Sequence, residues 1–271
     1  MLPDVSPSFP QASLILELQG LRYERGDRKI LKGIDWRVQP MEHWVILGPN
    51  GCGKTSLINC LTGYEMATAG NIRIGDDEFG KTDWREVRKH IGVVTSTLTH
   101  YLAPSEPVLD AVVSGRNAMI NLVGAVDPSW IMEAKILLER IGCGHLMNSR
   151  WGVLSQGERQ KILICRAMMA QFSVLILDEP CAGLDPVARE HFLQWLQHFA
   201  SDESAPSLVL VTHHVEEIMP CFTHALLMKQ GEVLSSGTKE RVITSENLSS
   251  AYGAALELEG DGTRFRLAFA S

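Results

Sequence analysis

Residues 44–55 read WVILGPNGCGKT, and the reading of this stretch decides the fold. Four apolar residues form a short strand, and the next eight fit the spacing G-x-x-x-x-G-K-[ST]. Gly48, Gly51 and Gly53 let the backbone turn tightly with no Cβ in the way. The loop Gly48, Pro49, Asn50, Gly51, Cys52, Gly53 then turns its free N–H groups inward as a nest for phosphate oxygens. Lys54 is a point charge for the β and γ phosphates, and Thr55 can offer a hydroxyl to Mg²⁺. Ser56 belongs to the same phosphate site. The helical spacing of Leu57, Ile58 and Leu61 behind it completes a strand–loop–helix context. Cys52 reads as a small filler side chain, with a thiol switch at a helix start as the alternative.

A second strand, in VLILDEP (174–180), ends in two carboxylates, Asp178 and Glu179. Ligands of open α/β sheets bind at that end of the strands. Asp178 suits Mg²⁺, and Glu179 is placed to take a proton from an attacking water. A third apolar strand ends in VTHH, where His213 can act beside a phosphate. If the strand continues, His214 points the other way. Residues 154–161, LSQGERQK, open another helix with a serine and a glycine. Its free N–H groups also suit an anion. One chain thus carries two helix starts shaped for phosphate.

With 271 residues, the chain makes one large domain or two small ones. A net charge of −7 argues against a nucleic-acid partner, which favours a basic face. Cys52, Cys60, Cys143, Cys165, Cys181 and Cys221 form no C-x-x-C pair, and scattered thiols suit a reducing compartment. No run approaches the length needed to cross a bilayer, so a membrane span would come from another chain.

Apolar strands alternating with helices give an α/β class with a parallel core. Residues 1–13 read as a disordered lead-in without signal-peptide character. The main domain is expected over 14–238, starting with strands at 14–18 and 30–40. A helical subdomain is expected over 97–153, with helices at 108–120 and 129–141. Pro186 sits at the first turn of a helix running to Ala200. VEEIMPCF reads as a short helix and ALLMKQGEVLSSG as a hairpin. The appendage 239–271 is weakly helical to 250 and ends in a hairpin turning at Asp261-Gly262.

GPNGCGKT, LSQGERQK, LILDEP, AGLD (182–185) and VTH, in that order, resemble the ATP-binding cassette (ABC) ATPase family from about Leu14 to Gly237. The wording around them looks most like single-domain ATPases of the iron-complex and molybdate importer group. The resemblance implies a P-loop NTPase core with a small N-terminal antiparallel β subdomain and the helical insert. It implies ATP and Mg²⁺ as ligands, with Thr55 and Asp178 on the metal and Lys54, Glu179 and His213 in catalysis. It also implies a homodimer paired head to tail through ATP. Ser155, Gln156, Gly157 and Glu158 of one copy then close on the γ phosphate held by the other. Tyr23 matches the aromatic that stacks on adenine, and Asp185 the residue that touches the partner across the dimer.

The chain departs from the pattern at Gln156, Glu158 and Ser96. Ser96 stands where the family has a glutamine that contacts Mg²⁺ and senses the transmembrane partner. The expectation is an ATPase subunit of an importer, cytoplasmic and peripheral on the inner face of the membrane. It would dock on separate permease subunits through LAPSEPVLDAV and AMINLVGAV. The alternative is a soluble regulatory or assembly ATPase with no membrane partner.

Overall fold

The computed structural model describes residues 14–83, 87, 90–95, 98, 101–117, 122, 126–170, 172–202, 205–260 and 262–270. The lead-in, Ser96 and most of AMINLVGAV lie outside them. Strands β1 (Leu16–Arg25) and β2 (Arg28–Val38) form a hairpin, β3 (Trp44–Leu47) leads into helix α1 (Lys54–Leu61), and β4 (Ala69–Ile74) and β5 (Asp77–Glu78) follow. The strand expected at 14–18 runs on into β1, with register shifts around Gly20. β2, β1, β4 and β5 make an antiparallel sheet in that order.

The main sheet adds β6 (Ile91–Thr95), β7 (Val174–Asp178), β8 (Ser207–Thr212), β9 (His224–Lys229) and β10 (Glu232–Thr238). Its order is β10-β9-β3-β8-β7-β6. All neighbours are parallel except the β9–β10 hairpin. The central strands are apolar throughout because both faces are covered. Val45, Leu175, Leu177, Leu208 and Leu210 point into one core. Trp44, Ile46, Val174, Ile176, Val209 and Val211 point into the other, shared with the N-terminal sheet.

Between β6 and β7 lie α2 (Val108–Val113), α3 (Pro128–Arg140) and α4 (Gln156–Met168). The helix expected to run on from 108 instead tightens into a 3₁₀ turn at Ser114–Asn117. Within that turn Gly115 lies against α4: a Cβ there would lie 1.9 Å from the Arg166 carbonyl. Val108, Ala111 and Val112 of α2, Ala134 and Leu138 of α3, and Ile162 and Leu163 of α4 share the first core.

Helix α5 (Pro186–Ala200) has Pro186 at its first turn, and the Asp185 side chain accepts from the N–H groups of Val187 and Ala188. VEEIMPCF forms only a 3₁₀ turn at Val215–Glu217. Pro220 disfavours helical backbone at Met219 and stops it there. After β10 come α6 (Lys239–Val242), α7 (Ser245–Tyr252) and a hairpin of β11 (Leu256–Gly260) and β12 (Phe265–Phe269). Val242, Ile243, Leu248 and Ala251 are buried in the first core, so this tail is packed onto the main sheet.

Candidate active site

Strands β3, β8 and β7 are neighbours at the centre of the sheet, and their C-terminal ends lie level. Leu47 pairs with Thr212, and Asp178 with Val211. The loop Gly48–Gly53, the carboxylates Asp178 and Glu179, and His213 therefore emerge together. Their sequence positions are far apart, and the parallel register unites them.

The loop after β3 is built as a cradle. A Cβ on Gly48 would lie 2.4 Å from the Met228 carbonyl oxygen and 2.8 Å from Cys52 Sγ, so only glycine fits. Gly53 precedes α1 in the left-handed conformation, and no side chain caps the helix. The first-turn N–H groups are thus available to an anion. Lys54 is buried, and its Nζ donates to the carbonyls of Gly48 at 2.7 Å and Pro49 at 3.2 Å. Cys52 is also buried, and burial pushes its thiol up. That favours the filler reading over a reactive thiolate.

Beside the cradle, Thr55, Asn59, Thr95, Asp178 and Glu179 line a cleft of about 400 Å³. Glu179 has φ 49, a left-handed conformation that costs a non-glycine residue about 1–3 kcal/mol. Its N–H donates to the Val211 carbonyl at 2.9 Å. Its Oε1 lies 3.1 Å from His213 Nδ1. The strained turn thus places the carboxylate against the imidazole of the next strand end. The strand ends at Thr212, so the continuation expected to turn His214 away does not occur. The two imidazoles lie with centroids 4.0 Å apart, and only His213 meets Glu179.

Asp178 Oδ1 is buried with no hydrogen-bond partner among the described residues. Burial first, and the Glu179 charge second, push its carboxyl up to about 6, while Lys54 opposes them. An orphaned carboxylate oxygen across the cleft from the Thr55 hydroxyl is a donor set that fits Mg²⁺. This ion takes one or two protein oxygens and completes its shell with phosphates and water.

The pH dependence follows. An aspartate shifted from its ordinary 3.8 to about 6 keeps its proton longer in the folded chain than in the unfolded one. Without metal, stability falls as pH rises through that window, by about 3 kcal/mol. Asp178→Asn, melted in EDTA, is therefore expected to exceed the wild-type Tm at pH 8 and to match it near pH 4. A lower Tm at pH 8 would refute this origin of the shift.

At the start of α4, Ser155 is the N-cap in a reciprocal capping box. Its Oγ lies 3.3 Å from the Glu158 N–H, and the Ser155 N–H donates to Glu158 Oε2 at 2.8 Å. Gly157 faces open space. The groove of about 180 Å³ here is lined by Ser155, Gly157, Glu158, Lys161 and His191 among others. It shares no lining residue with the cleft at the cradle.

Tyr23 is 8% exposed and packs in the second core, with its hydroxyl accepting from Arg25 Nε at 3.2 Å. Core packing accounts for it in this conformation.

Three contacts were not expected from sequence. Gln156 Nε2 donates to the Ala182 carbonyl at 3.1 Å, tying the start of α4 to the AGLD loop. Buried Glu217 accepts from Thr212 Oγ1 at 2.6 Å and holds the turn after β8. Tyr252 donates its hydroxyl to the His213 carbonyl at 2.9 Å. The pairing of Thr212 with Glu217, five residues on in VTHHVEE, was the only one with a local signal.

A phosphate cradle between a buried parallel strand and a helix, with paired carboxylates on a neighbouring strand end, defines a P-loop nucleoside triphosphatase. The profile of the ABC transporter family matches residues 31–182, and the chain belongs to that family. It is an ATP-binding subunit that hydrolyses ATP, the general activity of these domains. It is 41% identical over 246 residues to the uncharacterized ABC transporter ATP-binding protein YlmA of Bacillus subtilis (strain 168), covering 90% of this chain and 93% of YlmA. It is 36% identical over 244 residues to YmeB of Lactococcus lactis (strain IL1403), covering 90% and 94%. Among solved structures, cbiO1 from Clostridium perfringens, part of the ABC transporter complex cbiONQ, superposes with TM-score 0.75 at 25% identity, covering 88% and 94%.

Proposed function

We propose that this chain is the ATP-hydrolysing motor of an importer, working as a homodimer that closes head to tail around two ATP. The observation that carries this reading is the separation of the two phosphate-shaped sites. The cradle has catalytic carboxylates but no LSQGE groove in its cleft, and the groove has no cradle. Pairing two copies completes both. ATP that binds only the closed pair shifts the open–closed balance by its differential affinity.

Within each composite site, the loop N–H groups and Lys54 hold the phosphates. Thr55 and Asp178 would hold Mg²⁺, which neutralises phosphate charge when bound. Glu179 takes the proton of the attacking water, and His213 orients Glu179 and that water. Ser155 and the N–H groups near Gly157 of the second copy meet the γ phosphate. Positioning and electrostatics of this kind account for most of the catalysis in phosphoryl transfer.

Among the described residues no helix is long and apolar enough to cross a membrane. The motor would therefore work through separate permease subunits, peripheral on the cytoplasmic face. The wording of the motifs supports import. Affinity purification from detergent-solubilised membranes is expected to recover an integral membrane subunit with the chain. Recovery of the chain alone would favour the soluble ATPase instead.

A further inference from the structure

The C-terminal tail reaches the catalytic edge of the sheet through Tyr252. Tyr252, the last residue of α7, donates its hydroxyl to the backbone carbonyl of His213 at 2.9 Å, across 39 residues of sequence. His213 is the residue whose Nδ1 meets Glu179.

The element that carries the phenol is firmly held. Thr244 Oγ1 caps α7 by accepting from the Asn247 N–H, and Asn247 Nδ2 donates to the Val242 carbonyl at 3.0 Å. Leu248 and Ala251 are buried in the first core. Lys229 Nζ donates to the Ser250 carbonyl, joining α7 to the end of β9. On the far side, Ser249 Oγ accepts from the Leu256 N–H at 2.9 Å, fixing the hairpin that follows.

The partner of this rigid element is a segment the sheet no longer holds. The ladder of β8 stops at Thr212, and His213 stands just past it. Tyr252 also forms, with Lys229, Gln230 and the loop Pro49–Cys52, the wall of a cleft of about 440 Å³. The phenol thus stands between the phosphate cradle and the catalytic histidine. Burial pushes it up to about 12, with the Cys52 and Glu216 sides adding to the effect, so the hydroxyl remains a donor throughout the working pH range.

We propose that Tyr252 is a positioning residue for ATP hydrolysis: its hydroxyl fixes the His213 backbone and thereby the imidazole that orients Glu179. This makes the tail a working part of the reaction centre. The inference rests on the reading that Glu179 and His213 carry hydrolysis. A purely structural tyrosine would contribute to folding and leave the rate per competent site unchanged.

The test uses the full chain with Tyr252→Phe, which keeps the ring and deletes the donor. The fraction of folded, nucleotide-competent sites is counted by titration with a fluorescent ATP analogue, and kcat is expressed per competent site. The expected result is a fall in kcat of about threefold to tenfold, the scale of one lost hydrogen bond, with KM for ATP within about twofold. A kcat per site equal to wild type overturns the proposal, whether or not the competent fraction drops. A loss of affinity with unchanged kcat overturns it equally. Glu179→Gln is run beside it. Normal turnover in Glu179→Gln would bring down the underlying reading. A dead Glu179→Gln with a normal Tyr252→Phe would remove Tyr252 alone.

Discussion

Glu179→Gln is expected to bind ATP as wild type does, to lose turnover by about 10²–10⁴-fold, and to elute as a dimer when ATP is present. The substitution keeps the shape and the contact with His213 but removes the group that accepts the proton of water. The left-handed backbone at Glu179 and the N–H bond to Val211 belong to the main chain, so they survive the change. Binding is therefore spared, because the cradle and Lys54 are untouched. With hydrolysis stopped, nothing releases the closed pair, and the dimer accumulates. Phosphate release and size-exclusion chromatography read the two halves of the result. A monomer at saturating ATP would contradict the pairing, and full turnover would contradict the role of Glu179.

Lys54→Ala is expected to fail one step earlier, with no measurable ATP binding and no turnover. Lys54 is 5% exposed, and its ammonium rests on the carbonyls of Gly48 and Pro49. A buried ammonium whose hydrogen bonds, among the described residues, go to neutral carbonyls is costly to maintain. That cost is consistent with an ammonium waiting for phosphate. Its loss removes the cation that opposes the upward shift of Asp178, so the Asp178 carboxyl rises further and suits a metal less. Isothermal titration with ATP and Mg²⁺ checks this. Affinity within tenfold of wild type would show that the backbone nest alone binds the nucleotide.

The catalytic edge was largely legible in the sequence because its signals are local. A cradle is coded by glycine spacing, and the carboxylates by their place after four apolar residues. Pro186 announces the start of α5 by its place in the first turn. What stayed hidden depends on where strands stop and on which elements touch. His214 would face away only if the strand continued, and β8 ends at Thr212, so the alternation does not apply. The helix read from 108 gives way to a 3₁₀ turn at Ser114–Asn117, where Gly115 lies against α4, and no local propensity reports such an approach. The Gln156 contact with Ala182 spans 26 residues and the Tyr252 contact 39, with no period to reveal them. The tail read as a weakly helical appendage because its buried residues, Val242, Leu248 and Ala251, find their partners only in the main core.

The central claim is that each reaction centre is made of two chains. Mixing two inactive proteins tests it most directly: Lys54→Ala, which lacks a working cradle, and Ser155→Arg, which blocks the LSQGE groove. In a head-to-tail pair of one each, one pocket combines the intact cradle with the intact groove, and the other pocket has neither. Equal mixing makes half of the pairs mixed, so the account predicts recovery of roughly a quarter of the wild-type rate. No recovery at any mixing ratio, or full activity of Ser155→Arg by itself, would contradict it.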